Sequence, residues 1–385
     1  MTQYDVYLRN ANGKRTTLVN GIVFINALMR FNEPTKWSIS GTGLEECPIE
    51  DSSDIAIFRN GIVLFCGYTE SKKTKYNANS KIYDWEVSGK SDLGKIGYRL
   101  LYTQPNAQPP NPNKTYSDSG YLSTVMLDLL RKNAGELARE NRQFTNLVIP
   151  VQTPYGDEIT IECKLENLLN YVQNQLKASE IQIKESWNMS TGKWTIRIEE
   201  PEDVSDKVIF SVDNGSISAW ERTVSAPKSN YIMVTGCKDE NDQLIYVRVE
   251  DLDSVAKWGR IETVVARSDI KRNEEASESW ESVTARLHNA ANEELEKATA
   301  KTGYKLTTSE VSRNAFLEDY DIGSIVSVRI GSDNFTSKVE EVKITYAKGI
   351  ETIIPSVGTM QKGELQSVFA ELGKLKEQVK VLQNG

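Results

Sequence analysis

The chain has 385 residues, 26% of them charged, and a net charge of −8 at pH 7. This length predicts two to four globular domains. The acidic balance disfavours adhesion to nucleic acid or to an anionic membrane, because phosphate binding needs clustered Lys and Arg. The sequence has no apolar stretch long enough for a bilayer and no secretion signal at its start. It therefore predicts a protein made in a cytoplasm and not exported by the usual secretory route.

The first hundred residues or so predict short β-strands joined by tight turns. The clearest hairpin covers residues 55–67, where Asn60 and Gly61 lie between two apolar arms. An Asn-Gly pair supplies the two positive φ angles of a type I′ turn, which suits a two-residue hairpin. The Pro-, Asn- and Gln-rich run Gln104–Pro112 then predicts a surface linker or extended loop.

A small α+β unit is predicted after this linker. Apolar residues at spacings of three and four predict a helix over Ser119–Lys132, with Ser117 or Asp118 as its cap. A second helix is predicted over 165–176 by the same spacing. Alternating apolar residues over 181–198 then predict a β-hairpin.

The pattern from residue 204 onward predicts strands interrupted by one long helix. Strands are predicted within 204–270, and they resume at Lys305, with the firmest at 325–330 and 339–346. The helix is predicted over Glu274–Ala300. Its apolar residues recur at spacings of three and four among charged neighbours: Trp280, Val283, Leu287, Ala291 and Leu295. A barrel with one outer helix would suit this order of elements.

The C-terminal residues show a heptad pattern. Apolar side chains alternate at positions a and d, and we assign them to oligomerisation: Leu365, Val368, Leu372, Leu375, Val379 and Leu382. The pattern covers about two and a half heptads, fewer than a secure coiled coil requires. A single amphipathic helix docked on the body is the alternative. Leu at both a and d leaves the number of helices open.

Residues that carry chemistry are sparse. The only histidine, His288, falls inside the predicted long helix, and the four cysteines have neither zinc nor disulfide spacing: Cys47, Cys66, Cys163 and Cys237. No nucleophile-elbow, zinc-protease, phosphate-loop or dinucleotide motif occurs. We therefore predict that the protein is not an enzyme and has no catalytic, cofactor or metal site.

Two further sets of residues are interpreted as structural. The acidic run Asp239–Asp242 lacks the glycine and the bidentate Glu of a calcium loop, so it is interpreted as the tip of a strand connection. Four tryptophans have the pattern of core residues: Trp85, Trp194, Trp220 and Trp280. Acidic pairs elsewhere are interpreted as solvated turns, since proximity in sequence does not set the geometry that sugar hydrolysis needs.

Four short stretches carry a resemblance to a known family. They are Ile82–Gly94 with Tyr98–Leu101, Val208–Ile217 leading to Ser229–Gly236, Lys257–Glu262, and Asp319–Val328. In order and spacing they resemble the phage tail-tip hub family, the tail-associated or minor tail protein of siphophages. That family is related in fold to the baseplate hub of contractile tails.

The resemblance implies an α+β, mainly β fold with four parts. Residues 1–103 and 204–361 would form two tube-like β-barrel domains, the second with its outer helix at 274–300. Residues 104–203 would hold the linker and an inserted α+β domain, and 362–385 a C-terminal coiled-coil helix. Three copies would form a ring of six similar barrels.

The implied function is that of a structural hub at the virion tail tip, assembled in the host bacterial cytoplasm. The homotrimer would close the distal end of the tail tube and support a spike or fibre. Its partners would be a distal tail or tail-tube ring protein and the tape-measure protein, and DNA would pass without specific binding. One alternative is a carbohydrate-binding tail adhesin, which predicts exposed aromatic residues in a groove. The other is a cell-wall hydrolase, which a zymogram would reveal.

Overall fold

The computed structural model of the chain describes residues 3–104, 111, 114–177, 179–272, 278–308 and 314–358. The contacts divide the chain into two compact units. Unit 1 contains Met1–Trp220 and Lys305–Val357, and unit 2 contains Glu221–Tyr304 and Gly358–Gly385. Both units are rich in β-strand.

Unit 1 begins with seven antiparallel strands. They are β1 (Tyr4–Arg9), β2 (Arg15–Leu18), β3 (Ile22–Arg30), β4 (Glu33–Gly43), β5 (Asp54–Arg59), β6 (Ile62–Asn77) and β7 (Ile82–Ser91). Their order in the sheet is β3-β4-β7-β6-β5-β1-β2. The predicted hairpin is confirmed: β5 pairs with β6, and the turn residues Asn60 and Gly61 have φ angles of 52° and 81°.

The inserted segment of unit 1 packs two helices against short strands. After a 3₁₀ helix (Asp92–Tyr98) and β8 (Leu100–Leu101) come β9 (Tyr116–Tyr121), α1 (Leu122–Asn133), a 3₁₀ turn (Glu140–Arg142), β10 (Leu147–Val148), β11 (Glu158–Cys163), β12 (Glu166–Asn167), α2 (Leu168–Lys177), β13 (Gln182–Trp187) and β14 (Trp194–Glu199). One apolar cluster joins them, with Met126, Val172 and Ile196 fully buried. The predicted hairpin is confirmed as β13 paired with β14.

The first predicted helix begins three residues later than expected. Ser117 and Asp118 do not cap it, because they lie in β9 and pair with β11, where Asp118 faces Ile161. The backbone groups of Tyr116–Tyr121 are committed to that strand pairing, so the helix starts only at Leu122. The start of α2 is set locally, since the Asn167 side chain accepts a hydrogen bond from the N–H of Asn170 at 3.1 Å.

Unit 2 packs one long helix on a three-stranded sheet. After β15 (Ile209–Ser211) and β16 (Ile217–Ser225), the chain forms β17 (Tyr231–Lys238), β18 (Leu244–Glu250), α3 (Leu252–Trp258), β19 (Glu262–Ala266) and α4 (Trp280–Ala298). The sheet order is β18-β17-β19. Helix α3 was not predicted; Asp251 caps it by accepting from the N–H of Ser254 at 3.0 Å.

The long helix is shorter than the predicted range Glu274–Ala300. It starts at Trp280, because the Ser279 side chain caps it by accepting from the N–H of Ser282. Residues 274–277 of the predicted range lie outside the described residues. The predicted apolar face is confirmed, with Val283, Leu287 and Ala291 buried against the sheet.

The last strands return to the sheet of unit 1. They are β20 (Lys301–Thr308), β21 (Ile325–Ile330), β22 (Asp333–Ala347) and β23 (Ile350–Gly358). Strand β22 pairs antiparallel with β3, with Val342 opposite Met29 and Ile344 opposite Ala27. Strands from residues 1–103 and from residues 204–361 therefore belong to one thirteen-stranded sheet.

The fold is mainly β, as predicted. In the described part of the chain, backbone pairing of the large sheet runs from β16 at one end to β2 at the other. Closed barrels and the four domain boundaries remain predictions. The C-terminal coiled-coil helix, 362–385, lies outside the described residues.

Candidate functional site

One asparagine holds the inserted hairpin to the turn between β3 and β4. Asn32 has a φ of 60°, a left-handed conformation that Asn adopts more readily than most residues. Its Nδ2 donates to the carbonyl of Ile181 at 2.8 Å, and the N–H of Ile183 donates to its Oδ1 at 2.8 Å. The side-chain amide thus satisfies backbone groups of the insert, as a neighbouring strand would.

Trp187 makes a second contact between the insert and the first strands. Its Nε1 donates to the carbonyl of Gly13 at 3.0 Å, and its ring meets Phe58 edge to face with centroids 6.3 Å apart. The guanidinium of Arg9 lies 5.9 Å from the same ring. Polar and aromatic contacts together therefore fix the hairpin against the sheet.

Arg9 is the centre of a buried charge network beside this contact. It donates to both carboxylate oxygens of Asp92, at 2.7 and 2.8 Å, and to the carbonyl of Gly67 at 3.0 Å. Lys95 lies 3.0 Å from Asp92 and 2.8 Å from Asp54. The side chains of Arg9 and Asp92 are only 2% and 1% exposed. Burial alone would raise the pKa of Asp92, but the charges of Arg9 and Lys95 hold this pKa below its usual value.

Glu185 of β13 lies against this network. One of its carboxylate oxygens accepts the N–H of Leu93 at 2.7 Å. Burial raises the pKa of Glu185 to about 7, and the neighbouring charge of Asp92 acts in the same direction. The carboxyl group is therefore close to half-protonated at neutral pH, and it links the insert to the first 3₁₀ helix.

We expect Glu185→Gln to raise the free energy of unfolding at pH 8 by about 1 kcal/mol. This value is smaller than the full free energy of the pKa shift, because solvent reaches part of the side chain. The folded protein binds this proton more tightly than the unfolded chain does. Stability is therefore lost as pH rises from the ordinary pKa of 4.5 to about 7. Denaturant unfolding at pH 5 and pH 8 measures the effect, with the exposed Glu162→Gln as control. An equal increase in the free energy of unfolding for both variants would contradict the raised pKa of Glu185. So would the absence of any increase for Glu185→Gln at pH 8.

A cavity of about 240 Å³ lies between β13 and the sheet within unit 1. It is lined by residues of β3, of β6, of β13 and of the segment before β21, and Arg30, Glu185 and Trp187 are among them. Arg30 donates through Nε to Glu341 at 2.7 Å, while its buried Nη2 has no hydrogen-bond partner among the residues that the structure describes. Charged side chains and an aromatic ring therefore share the lining of this cavity.

A second ion pair connects an N-terminal strand of the large sheet with its C-terminal strand β23. Arg59 of β5 donates to both carboxylate oxygens of Glu351 in β23, at 2.8 and 2.7 Å. The hydroxyl of Tyr4 donates to the same carboxylate. The ring of Tyr4 also lies 4.8 Å from that of Tyr346 in β22. Side chains of β1 and β5 therefore contact β22 and β23 as well as their own paired neighbours.

The structure tests several residues that the sequence singled out. His288 lies on α4, inside the predicted long helix, and its side chain is exposed. The cysteines are free; three are buried and Cys237 is half-buried, and burial raises the pKa of the Cys66 thiol. Asp239 lies in the turn between β17 and β18 and accepts from the backbone of Asn241 and Gln243, as predicted for a strand connection.

The tryptophan prediction is wrong at one position. Trp85 and Trp194 are buried, each 4% exposed, but Trp220 is 48% exposed. Trp220 lies in β16, which is the end strand of the large sheet, so neither face of this strand is well covered. Trp280 is half-buried at the start of α4.

The six heptad residues lie outside the described residues: Leu365, Val368, Leu372, Leu375, Val379 and Leu382. Among the residues that the structure does describe, no group of His, Cys, Asp and Glu side chains has the arrangement of a metal site. In the same part of the chain, no helix is long and apolar enough to cross a bilayer.

The sequence did not point to Arg9, Asp92, Glu185 or Asn32. The partners within the network are 83 residues apart for Arg9 and Asp92 and 92 residues apart for Leu93 and Glu185. Isolated charged residues in strands normally face solvent, so nothing in the local pattern distinguishes these from surface charges.

The fold is that of phage tail proteins of known structure. The 43 kDa tail protein of prophage MuSo2 from Shewanella oneidensis matches with a TM-score of 0.58 and 12% identity, covering 93% of this chain and 98% of that chain. Prophage tail protein gp18 from Listeria monocytogenes EGD-e matches with a TM-score of 0.55 and 11% identity, covering 97% and 99%. A chain of the lidded Francisella PdpA–VgrG complex matches with a TM-score of 0.54 and 10% identity, covering 93% and 52%. At these identities the likeness establishes the fold.

The family is established by a separate comparison. The family model described as Siphovirus ReqiPepy6 Gp37-like protein matches residues 62–359. The chain therefore belongs to the Siphovirus ReqiPepy6 Gp37-like family. No curated protein matches the sequence. The resemblance predicted from four short stretches is thus confirmed at the level of a siphovirus tail protein.

Proposed function

We propose that this protein is the structural hub of a phage tail tip. Three copies form a ring that closes the distal end of the tail tube and supports a spike or fibre. The ring docks on a distal tail or tail-tube ring protein and meets the tape-measure protein. The ion pairs of Arg9 with Asp92 and of Arg59 with Glu351 hold the β-rich body of this hub together.

The observation that carries this proposal is the joining of the two β-rich segments in one sheet. Strand β22 pairs with β3, and the ion pair of Arg59 with Glu351 adds side-chain contacts between the same segments. Two β segments placed side by side in one chain are what three copies need to form a ring of six β segments. The tail-protein fold of the compared structures supports the same assignment.

The acidic character supports the proposed path for DNA. A net charge of −8 leaves no overall attraction for phosphates, so DNA passes through the ring without specific binding. A channel surface that proved strongly basic would contradict this part of the proposal.

We expect Leu372→Asp together with Leu375→Asp to weaken trimerisation by at least about a hundredfold. Each substitution puts a charge at an a or d position, and losing one buried Leu costs about 1.5–3 kcal/mol. The measurement is the solution mass of the purified chain, which is 43.3 kDa as a monomer. Gln366→Asp with Ser367→Asp adds the same charge outside the seam and is the control.

A truncation ending at Thr359 complements the substitutions. A trimer that becomes a monomer on truncation assigns self-association to the heptads. A trimer that survives places the contact in the β-rich body and keeps the hub. An unchanged mass in the double Asp variant contradicts the heptad seam, and a monomer under every condition favours the second candidate below.

The second candidate is a carbohydrate-binding tail adhesin, and one groove favours it. This groove of about 270 Å³ in unit 1 is lined by Tyr68, Tyr98 and amide side chains of α2 and the residue before it. Tyr98 is 58% exposed and meets Tyr68 edge to face. An exposed aromatic ring beside amides suits a sugar ring and its hydroxyls. Retention of the chain on purified bacterial cell walls would favour this candidate.

A further inference from the structure

Among the residues that the structure describes, α4 covers one face of the unit 2 sheet and the opposite face, called the open face here, has exposed side chains. Ile232, Val234 and Val247 pack with Val283 and Leu287 beneath the helix. On the open face Tyr246 is 59% exposed and Val264 is 66% exposed. A sheet with one apolar face left open marks a docking surface.

Strand register shows that the exposed side chains of this face are neighbours. Met233 of β17 lies opposite Arg248 of β18 and opposite Val264 of β19. In the next row, Thr235 lies between Tyr246 and Ala266. The patch therefore combines apolar side chains with Arg248, and the exposed Glu250 and Glu262 lie at its edge, both opposite Tyr231.

The end of the described chain lies in the same unit. Strand β23 finishes at Gly358, which lies beside β20; a Cβ there would be 2.9 Å from the carbonyl oxygen of Thr302. Strand β20 begins only three residues after α4 ends at Ala298. The described chain therefore ends beside β20, the strand that follows α4.

The sequence of residues 359–385 suits an open sheet face. Phe369 follows Val368 at position e of the first heptad, so the apolar stripe is wider there than positions a and d alone, whereas Lys376 and Gln383 occupy position e in the next two heptads. A stripe of this width is typical of a helix packed on a globular body, whereas a strict a/d stripe is the narrower seam of a coiled coil. A helix over 364–382 would be about 28 Å long, close to the roughly 26 Å of an eight-residue strand such as β17.

The open face and the C-terminal segment both carry charged groups at their borders. Arg248 is exposed on the open face, between Tyr246 and Glu250 along β18. Glu364 and Glu371 each precede a residue of the apolar stripe, at the border of that stripe. A helix lying with its stripe on the sheet pairs one of these acidic groups with the arginine only in an orientation that keeps both away from Glu250 and Glu262.

We propose that residues 364–382 dock as a helix on the open face of the β18-β17-β19 sheet in the unassembled chain. The stripe then covers Tyr246, Met233 and Val264, so that helices lie on both faces of the sheet. The same stripe supplies the seam of the proposed trimer, so docking and trimerisation exclude each other. The mutual exclusion of docking and trimerisation rests on the proposed function, whereas the docking itself does not. Docking would delay self-association until the chain reaches the tail.

The test is the rate at which a thiol reagent modifies Val264→Cys at nanomolar chain concentration. The rate is compared between the full chain and a truncation ending at Gly358, after subtraction of the rate of the parent chain, whose Cys237 is half-buried. We expect modification to be at least about tenfold slower in the full chain. Ile350→Cys, at an exposed site in unit 1, is expected to react equally in both.

A second variant separates docking from trimerisation. Phe369→Glu changes the wide stripe but none of the six seam residues, so it is expected to raise the modification rate to that of the truncation. Equal rates in the full and truncated chains overturn the proposal, and so does protection that disappears on dilution, since a second copy would then be the occupant. Solution mass in the same samples distinguishes the two proposals. A persistent trimer with unprotected Val264→Cys keeps the hub and rejects docking, whereas a protected monomer supports docking whatever the fate of the hub.

Discussion

Replacing Arg9 with methionine is expected to lower the free energy of unfolding by about 3–5 kcal/mol. The substitution leaves the carboxylate of Asp92, whose side chain is 1% exposed, without its two hydrogen bonds from the guanidinium. The carbonyl of Gly67 also loses a donor. Lys95 remains near Asp92 but cannot replace a bidentate partner. Denaturant unfolding of the full chain at pH 7 measures the loss.

Two controls make the result specific to the network. Arg15→Met removes an exposed arginine that stacks on Tyr7 at 4.6 Å, and we expect it to cost less than about 1 kcal/mol. Arg9→Met combined with Asp92→Leu should recover part of the loss, because no buried charge is then left without its partner. Equal destabilisation by the Arg9 and Arg15 substitutions would contradict the role of the buried pair.

The effect of Arg9→Met should also depend on pH. The depressed pKa of Asp92 means that its ionised form is stabilised by folding. This contribution is present above the ordinary pKa of 3.8 and is lost as pH falls below it. The difference in stability between the parent chain and the variant should therefore shrink in acid.

Gly89→Ala is expected to cost about 3 kcal/mol, at the upper end of the usual range for overpacking. Gly89 lies opposite Trp37 in the pairing of β4 with β7. A Cβ at Gly89 would lie 1.9 Å from the carbonyl oxygen of Tyr68 and 2.8 Å from the Trp37 ring. The indole is 3% exposed and the carbonyl belongs to the backbone of β6, so neither yields without displacing a strand.

Gly43→Ala provides the matched control. Gly43 is also a strand residue of the same sheet, but the nearest atom to an added Cβ is 3.6 Å away. We expect its effect on unfolding to be below about 0.5 kcal/mol. If both alanine variants unfold at the same denaturant concentration, the close packing of Trp37 over Gly89 is not required for stability.

Local patterns predicted those elements whose hydrogen bonds close over a few residues. The turn at Asn60 and Gly61 depends only on backbone angles that this pair adopts easily, so the hairpin follows from two residues. The buried face of α4 follows from the spacing of Val283, Leu287 and Ala291. The start of α1 did not follow in this way, since the pairing of β9 with β11 competes with the helix for the same backbone groups.

The sequence by itself determined a mainly β chain with an α+β insert, an amphipathic long helix, free cysteines and a resemblance to siphophage tail hubs. Each depends on residue type, on periodicity or on short ordered motifs. Only the tertiary structure decided that β22 pairs with β3, and that Arg9, Asp92 and Glu185 meet under the inserted hairpin. These contacts join residues roughly 80 to 300 positions apart, and their energies come from burial and geometry that no local pattern of residues encodes.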